Sequence, residues 1–477
     1  MKLEISNYLK EVKPLINELL KELLKEYDYA SILATDSKGK TYRVDKSSVN
    51  IGDQQFGERG FLVRVYCNEG YFEYAFNEIS KESIPILLDE IKDASKLRYN
   101  SNLSVRKYEK IINDKISHEK ISFSKGVDIE IHPENVSSEE IIKVLIDIKD
   151  KAFKYEESLL DLFIMYDYLV ISKIFISPDK DLEQAYINSM ARIKAVLTND
   201  KGVKESYKGF SGIKGAEILN EMKEGVEQVI DVAKELLNAE KMIPGEYDVV
   251  CTPEITGLIA HEAFGHGVEM DMFVKDRAKS KDYMEKYIAS PLVTMRDGAA
   301  AAFENGSYFF DDEGEIASDT VIIDKGILKS GINDMLTANT LKVKSTGNGR
   351  RQSFDRKSYT RMTNTFIESG ESTLEEIVKS IEYGFLIDVM KSGMEDPKNW
   401  GIQCMVNIAR EIKDGEFTGK IYSPVIMTGY VPDLLKSISM ISNDFELSGC
   451  GHCGKGYKEW VVVSDGGPYI KCKCRLG

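Results

Sequence analysis

Between residue 7 and about residue 27, Leu9, Val12, Leu15, Ile16, Leu19, Leu20 and Leu23 recur at helical spacing, with Lys and Glu between them. This pattern predicts an amphipathic helix whose apolar stripe packs on a neighbour. The period then shortens towards two, and strands are expected over 30–35 and 40–44, on either side of a turn at Asp36-Ser37-Lys38-Gly39. Two further strands, 60–67 and 71–75, flank Asn68-Glu69-Gly70 and read as a β-hairpin. A second helix, about 82–97, completes an α+β unit.

The polar stretch 99–119 reads as a connection. Ser137 and Ser138, followed by Glu139 and Glu140, then open a third helix running to about Tyr155. Alternating segments around 162–168, 170–176, 184–189 and 191–197 suggest an antiparallel sheet, and a long helix, about 215–237, leads to the boundary at Pro244-Gly245. Beyond it come a strand ending at Cys251 and, after Pro291, mostly strands and turns, including 321–323, 326–329 and 421–428. The end is hairpin-like, with 460–464 and 469–473 around Asp465-Gly466-Gly467-Pro468. The expected fold class is α+β and multi-domain, with antiparallel sheets and packed helices. Its expected units are an N-terminal α+β domain (1–110), a central α+β domain (111–242) and a β-rich C-terminal domain (243–477).

Composition supports several domains, since 477 residues exceed one ordinary core. The excess of 78 acidic over 63 basic residues, a net charge of −15, disfavours non-specific binding to nucleic acid or an anionic membrane. Charges are scattered through the first ten residues, where a signal peptide would need an unbroken apolar core. No apolar run approaches the ~20 residues of a membrane span. Seven cysteines, an odd number in a long chain, point to free thiols in a reducing compartment. The expected location is cytoplasmic.

The chemistry concentrates in the C-terminal half. His261-Glu262-Ala263-Phe264-Gly265-His266 holds two of the five histidines, with a glutamate directly after the first. Two neutral imidazoles suit zinc, and an adjacent carboxylate suits proton removal from water. The spacing is one residue longer than in His-Glu-x-x-His. At roughly 100° per residue, positions four apart on an α-helix lie about 40° from each other, whereas positions five apart lie about 140° apart. Both rings can face one ion if the segment carries a π-type bulge, which Gly265 and Gly267 would ease. A buried helix with satisfied histidines is the bland alternative, but it leaves Glu262, His266 and the glycines as coincidence.

A zinc site needs a third ligand, and Cys450, His452 and Cys453 are the candidates near the C-terminus. One reading joins Cys450 and Cys453 to Cys472 and Cys474 in a separate Cys₄ structural zinc. The other sends one of Cys450, His452 or Cys453 to His261 and His266, leaving a fourth position open for water. Spacing does not choose among these three.

The chain resembles the TldD/PmbA family of metalloproteases, historically called modulators of DNA gyrase, in its TldD branch. The resemblance rests on His261 to His266 with Glu269 and Asp271, on Asp311-Asp312-Glu313-Gly314, on the run from Gly347 to Ser353, on Arg361-Met362-Thr363-Asn364-Thr365 and on Cys453-Gly454-Lys455. It implies His261, His266 and Cys453 as zinc ligands and Glu262 as the catalytic base, in a zinc metallopeptidase domain at 243–477. It also implies a dimer enclosing a cavity that admits unfolded or extended peptides, commonly with a PmbA-like (TldE) partner that lacks the zinc motif.

The expected reaction is peptide-bond hydrolysis, in which Glu262 takes a proton from water and delivers it to the leaving amine. A small amide as substrate would use the same residues. The rival class is a non-catalytic, zinc-stabilised interaction or regulatory subunit, and Glu262 speaks against it, because a structural site needs no adjacent base. Glu269 and Asp271 read either as partners of the ligand imidazoles or as solvated acids. Arg350, Arg351, Arg356, Lys357 and Arg361 read either as an exposed loop or as a clamp for a peptide carboxylate, and Asn364 as a donor to substrate.

Overall fold

The computed structural model describes residues 1–100, 120–457 and 459–477. The connection expected over 99–119, with a domain boundary at 110, falls on 101–119, outside the described residues, apart from the end of a helix that reaches Asn100.

Among the described residues, eight strands before residue 213 form one sheet. They are β1 (Tyr29–Val44), β2 (Val49–Asp53), β3 (Glu58–Cys67), β4 (Gly70–Phe76), β5 (Ile121–Gly126), β6 (Leu159–Ile176), β7 (Lys180–Asn199) and β8 (Gly202–Gly212), in the order β4-β3-β1-β6-β7-β5, with β2 beside β1 and β8 beside β7. The hairpin β3–β4 forms as its sequence indicates, with Asn68 and Glu69 at φ 49° and 62°, values that a two-residue hairpin turn requires. The expected turn at Asp36 to Gly39 is absent, because β1 runs through it. Gly39 has a different role: a Cβ there would lie 1.8 Å from the carbonyl oxygen of Tyr168 on the neighbouring strand. The four segments expected between 162 and 197 likewise merge into two long strands, β6 and β7.

Strand alternation gives this sheet two apolar faces. Ile32, Ala34, Val63 and Ile174 pack with helices α1 (Asn7–Glu26), α2 (Ser83–Asn100), α3 (Ser138–Tyr155) and α4 (Ile218–Leu237) in the largest core. The stripe of α1 is buried as expected, and α3 starts with a capping box between Ser137 and Glu140. Leu33, Leu62, Phe175 and Leu182 face the other way, onto Phe310 of the C-terminal half. Around them Arg64 meets Glu313 at 2.6 Å, Lys180 meets Glu315 at 2.7 Å, and Lys173 pairs with Asp312. The acidic run 311–315 is thus a strap between the two halves.

Beyond Pro244 the chain builds two larger sheets and a small two-stranded one. One runs Ile327–Leu328, Thr320–Asp324, Met295–Asp297, Asn364–Ile367, Glu459–Gly467, Glu446–Lys455. The other runs Tyr383–Asp396, Gly245–Cys251, Ile470–Leu476, Val425–Tyr430, Gly401–Lys413, Glu416–Tyr422, and extra pairing of Tyr383–Asp396 with Gly401–Lys413 closes its path into a ring. The expected terminal hairpin does not form: the strands on either side of Pro468 enter different sheets. The molecule is α+β and multi-domain. No described helix is long and apolar enough to cross a membrane.

Candidate metal centre

The helix Pro253–Leu258 begins with proline in its first turn, where the missing N–H costs nothing. It then widens into a π-helix, Ile259–Gly265, in which the His266 N–H reaches the carbonyl of His261, five residues back. The wider turn puts both rings on one side, with centroids 5.1 Å apart. Gly265 lets Met362 pack closely, since a Cβ there would lie 2.3 Å from the Met362 sulfur and 3.0 Å from the carbonyl oxygen of Ala260.

The strand Glu446–Lys455 brings the third group. Cys453 is buried, and its Sγ lies 3.6 Å from His266 Nε2. Donor atoms of His261, His266 and Cys453 all lie within 4.8 Å of one another, the sole such group among the described residues. A tetrahedral zinc with bonds of about 2.1 Å to nitrogen and about 2.3 Å to sulfur spaces those donors by about 3.6 Å. The donor set therefore fits zinc in both chemistry and spacing.

The other candidates point elsewhere. His452, on the opposite face of the strand, stacks on Phe56 with ring centroids 5.4 Å apart. The Cys450 thiol donates to the carbonyl of Phe210 at 3.1 Å. Cys472 and Cys474 are buried in the core of the C-terminal half, where Cys472 Sγ is 3.8 Å from Cys251 Sγ. The Cys₄ reading is thereby overturned, as these thiols do not converge.

Burial alone would push the Cys453 thiol up, but the two imidazoles hold it well below the usual thiol range. Burial works against charge on His261, yet Cys453 and Asp465 hold it up to about 9. Glu269 is the partner of His266, Nδ1 to Oε2 3.1 Å. Lys455 lies behind it, with Nζ 3.1 Å from Glu269, 2.7 Å from Asp271 and 2.9 Å from the carbonyl of Thr360. Against the penalty of burial, Lys455 and His266 hold the Glu269 carboxyl at about 2. Asp271 contacts Lys455 and Lys275 rather than an imidazole.

Two participants escaped the sequence reading. Asp465 faces His261, Oδ2 to Nδ1 3.8 Å, but its motif Asp-Gly-Gly-Pro reads only as a turn. Lys455 was legible as part of Cys-Gly-Lys, without a role. Glu262 is half-buried beneath the strand Tyr383–Asp396, where a Cβ on Gly393 would lie 2.5 Å from its Cγ.

The basic cluster divides. Arg361 is 1% exposed, donating to the carbonyl of Glu459 at 3.2 Å and to that of Cys453, so it clamps the hairpin that carries the thiol. Arg351 is buried against Glu73 of the large sheet, while Arg356 and Lys357 are exposed. Arg350 donates to the carbonyl of Met362 at 2.7 Å. Asn364 spends its amide on Gly298 and Ser307, a scaffold role in place of the expected substrate contact.

Residues 244–474 match the family model for the PmbA/TldA metallopeptidase C-terminal domain. A metalloprotease of Methanocaldococcus jannaschii is 27% identical, over 95% of this chain and 98% of its own length. The zinc metalloprotease TldD homolog of Saccharolobus solfataricus is 28% identical, over 87% and 89% of the two chains. The solved structure of TldE from Thermococcus kodakarensis superimposes with a TM-score of 0.75 at 17% identity, covering 97% of this chain and 99% of that one, a likeness of fold.

Proposed function

This chain belongs to the PmbA/TldD family, a metalloprotease family, and from that premise we propose that it is a zinc-dependent peptidase acting on unfolded or extended polypeptides. The carrying observation is the convergence of two imidazoles and one thiolate on one point, with the half-buried carboxylate of Glu262 directly after the first imidazole in the same π-helix. His261, His266 and Cys453 would hold the metal, with His266 oriented by the hydrogen bond to Glu269 and the Asp465 carboxylate 3.8 Å from His261 Nδ1. When bound, zinc supplies Lewis-acid polarisation of the scissile carbonyl and of water. Glu262 takes the proton from the attacking water and carries it to the leaving amine, so water adds across the C–N bond. Arg361 and Lys455 keep the thiol strand and Glu269 in register.

The reading includes a two-chain assembly, supported by the shared fold of the archaeal TldE. The test is cleavage of an unfolded polypeptide by the purified chain, alone and with its TldE-like counterpart. Activity lost to a chelator and restored by zinc, and absent from Glu262→Gln with zinc still bound, supports it. Cleavage by the zinc-loaded Glu262→Gln variant at the wild-type rate would sink it.

A further inference from the structure

Glu395 sits at the metal centre with nothing to bind. It lies on the strand Tyr383–Asp396, opposite Ile402, and a Cβ on Gly267 would be 3.1 Å from its Oε1. Both carboxylate oxygens are shielded from water, and neither has a hydrogen-bond partner. The charged groups that act on it are His266, Glu262, Glu269 and Asp396. Three of these are acids, and the imidazole of His266 is already engaged by Glu269 at Nδ1 and by Cys453 at Nε2. Gly393, two residues earlier on the same face, lies over Glu262. One strand therefore presents a side-chain-free position over the base and, one step on, a lone carboxylate.

A buried carboxyl without donors either holds its proton or is met by a cation, and a cation arriving at Glu395 would find both oxygens unengaged. Glu395 is not one of the three donors that converge. A long basic side chain would place its charge several bonds from the peptide backbone. The α-ammonium of a peptide is joined through a single Cα to the first carbonyl, so a carboxylate beside the base holds that carbonyl next to Glu262.

We propose that Glu395 is a specificity-determining residue that receives the free α-ammonium of the substrate and directs cleavage to the N-terminal end of peptides. This rests on the peptidase reading above. It is tested with one peptide in two forms, free and N-acetylated, on zinc-loaded wild type and Glu395→Gln. The wild type should favour the free form in kcat/KM by at least ~10-fold, and Glu395→Gln should erase that preference by slowing only the free form, with its zinc content unchanged. Measurable and equal rates for both forms on wild type, equal loss of both in the variant, or loss of zinc overturns the proposal. Binding of the same two peptides, fluorescently labelled at their C-terminal ends, to Glu262→Gln and to Glu262→Gln/Glu395→Gln gives a readout independent of turnover. Preference for the free form in the first protein alone supports the role of Glu395 even if the wild type hydrolyses neither peptide, an outcome that would sink the peptidase reading instead. Preference in both proteins, or in neither, overturns it.

Discussion

Lys455 pairs with Glu269 beside the candidate metal centre, Nζ to Oε2 3.1 Å, and the same oxygen meets His266 Nδ1 at 3.1 Å. The strand that brings the thiol thus brings the cation that fixes the acid behind an imidazole. Lys455→Met should lower zinc affinity about 10–100-fold, the range for a lost partner of a ligand, while all three donors remain. Zinc competition with a colorimetric chelator measures it; unchanged affinity would show that Glu269 holds its place unaided.

Cys453→Ala should lose high-affinity zinc, whereas Cys450→Ala and His452→Ala should retain one zinc per chain. Metal analysis after gel filtration reads all three. Retention by Cys453→Ala would refute the assignment of the third ligand.

Gly393→Ala pushes a methyl to 2.5 Å from Glu262 Cγ. It should cut kcat on an unfolded peptide roughly 100-fold through misplacement of the base and leave zinc content alone. A wild-type kcat would mean that Glu262 tolerates displacement and is not the working carboxylate.

Glu254, one turn before the π-helix, is pushed up to about 8 by burial and by the nearby Asp388 and Asp465, despite accepting from the Met390 N–H at 3.3 Å. A carboxyl raised in the folded state favours folding below its ordinary range near 4.5, and that contribution is lost as pH climbs towards 8. Glu254→Gln keeps an acceptor for Met390 and has no charge to bury. It should match wild type in urea unfolding at about pH 5 and exceed it at about pH 9. Equal midpoints at both pH values would count against a buried, raised carboxyl.

What was legible in the chain was local. The stripe of α1, the Ser137 cap, the Asn68-Glu69 turn and the π-bend demanded by His261 and His266 all follow from spacing and residue type over a single turn. What failed depended on distant neighbours. Gly39 is glycine because Tyr168 crosses it, and the turn at Pro468 changes sheets instead of closing a hairpin. The thiol could not be chosen by counting, because a register irregularity between Ser448 and Gly451 decides which face Cys450, His452 and Cys453 present. Asp465 and Glu395 gain their meaning only where strands remote in sequence meet the π-turn.

The two imidazoles and the thiol lie on opposite sides of a long stretch of chain, Cys453 being 187 residues beyond His266. A copy interrupted during synthesis, or clipped between them, carries Glu262 and both rings but lacks the sulfur. The donor set is therefore completed only when the last strands have been made and docked, so under the proposed function hydrolysis waits for the end of the chain.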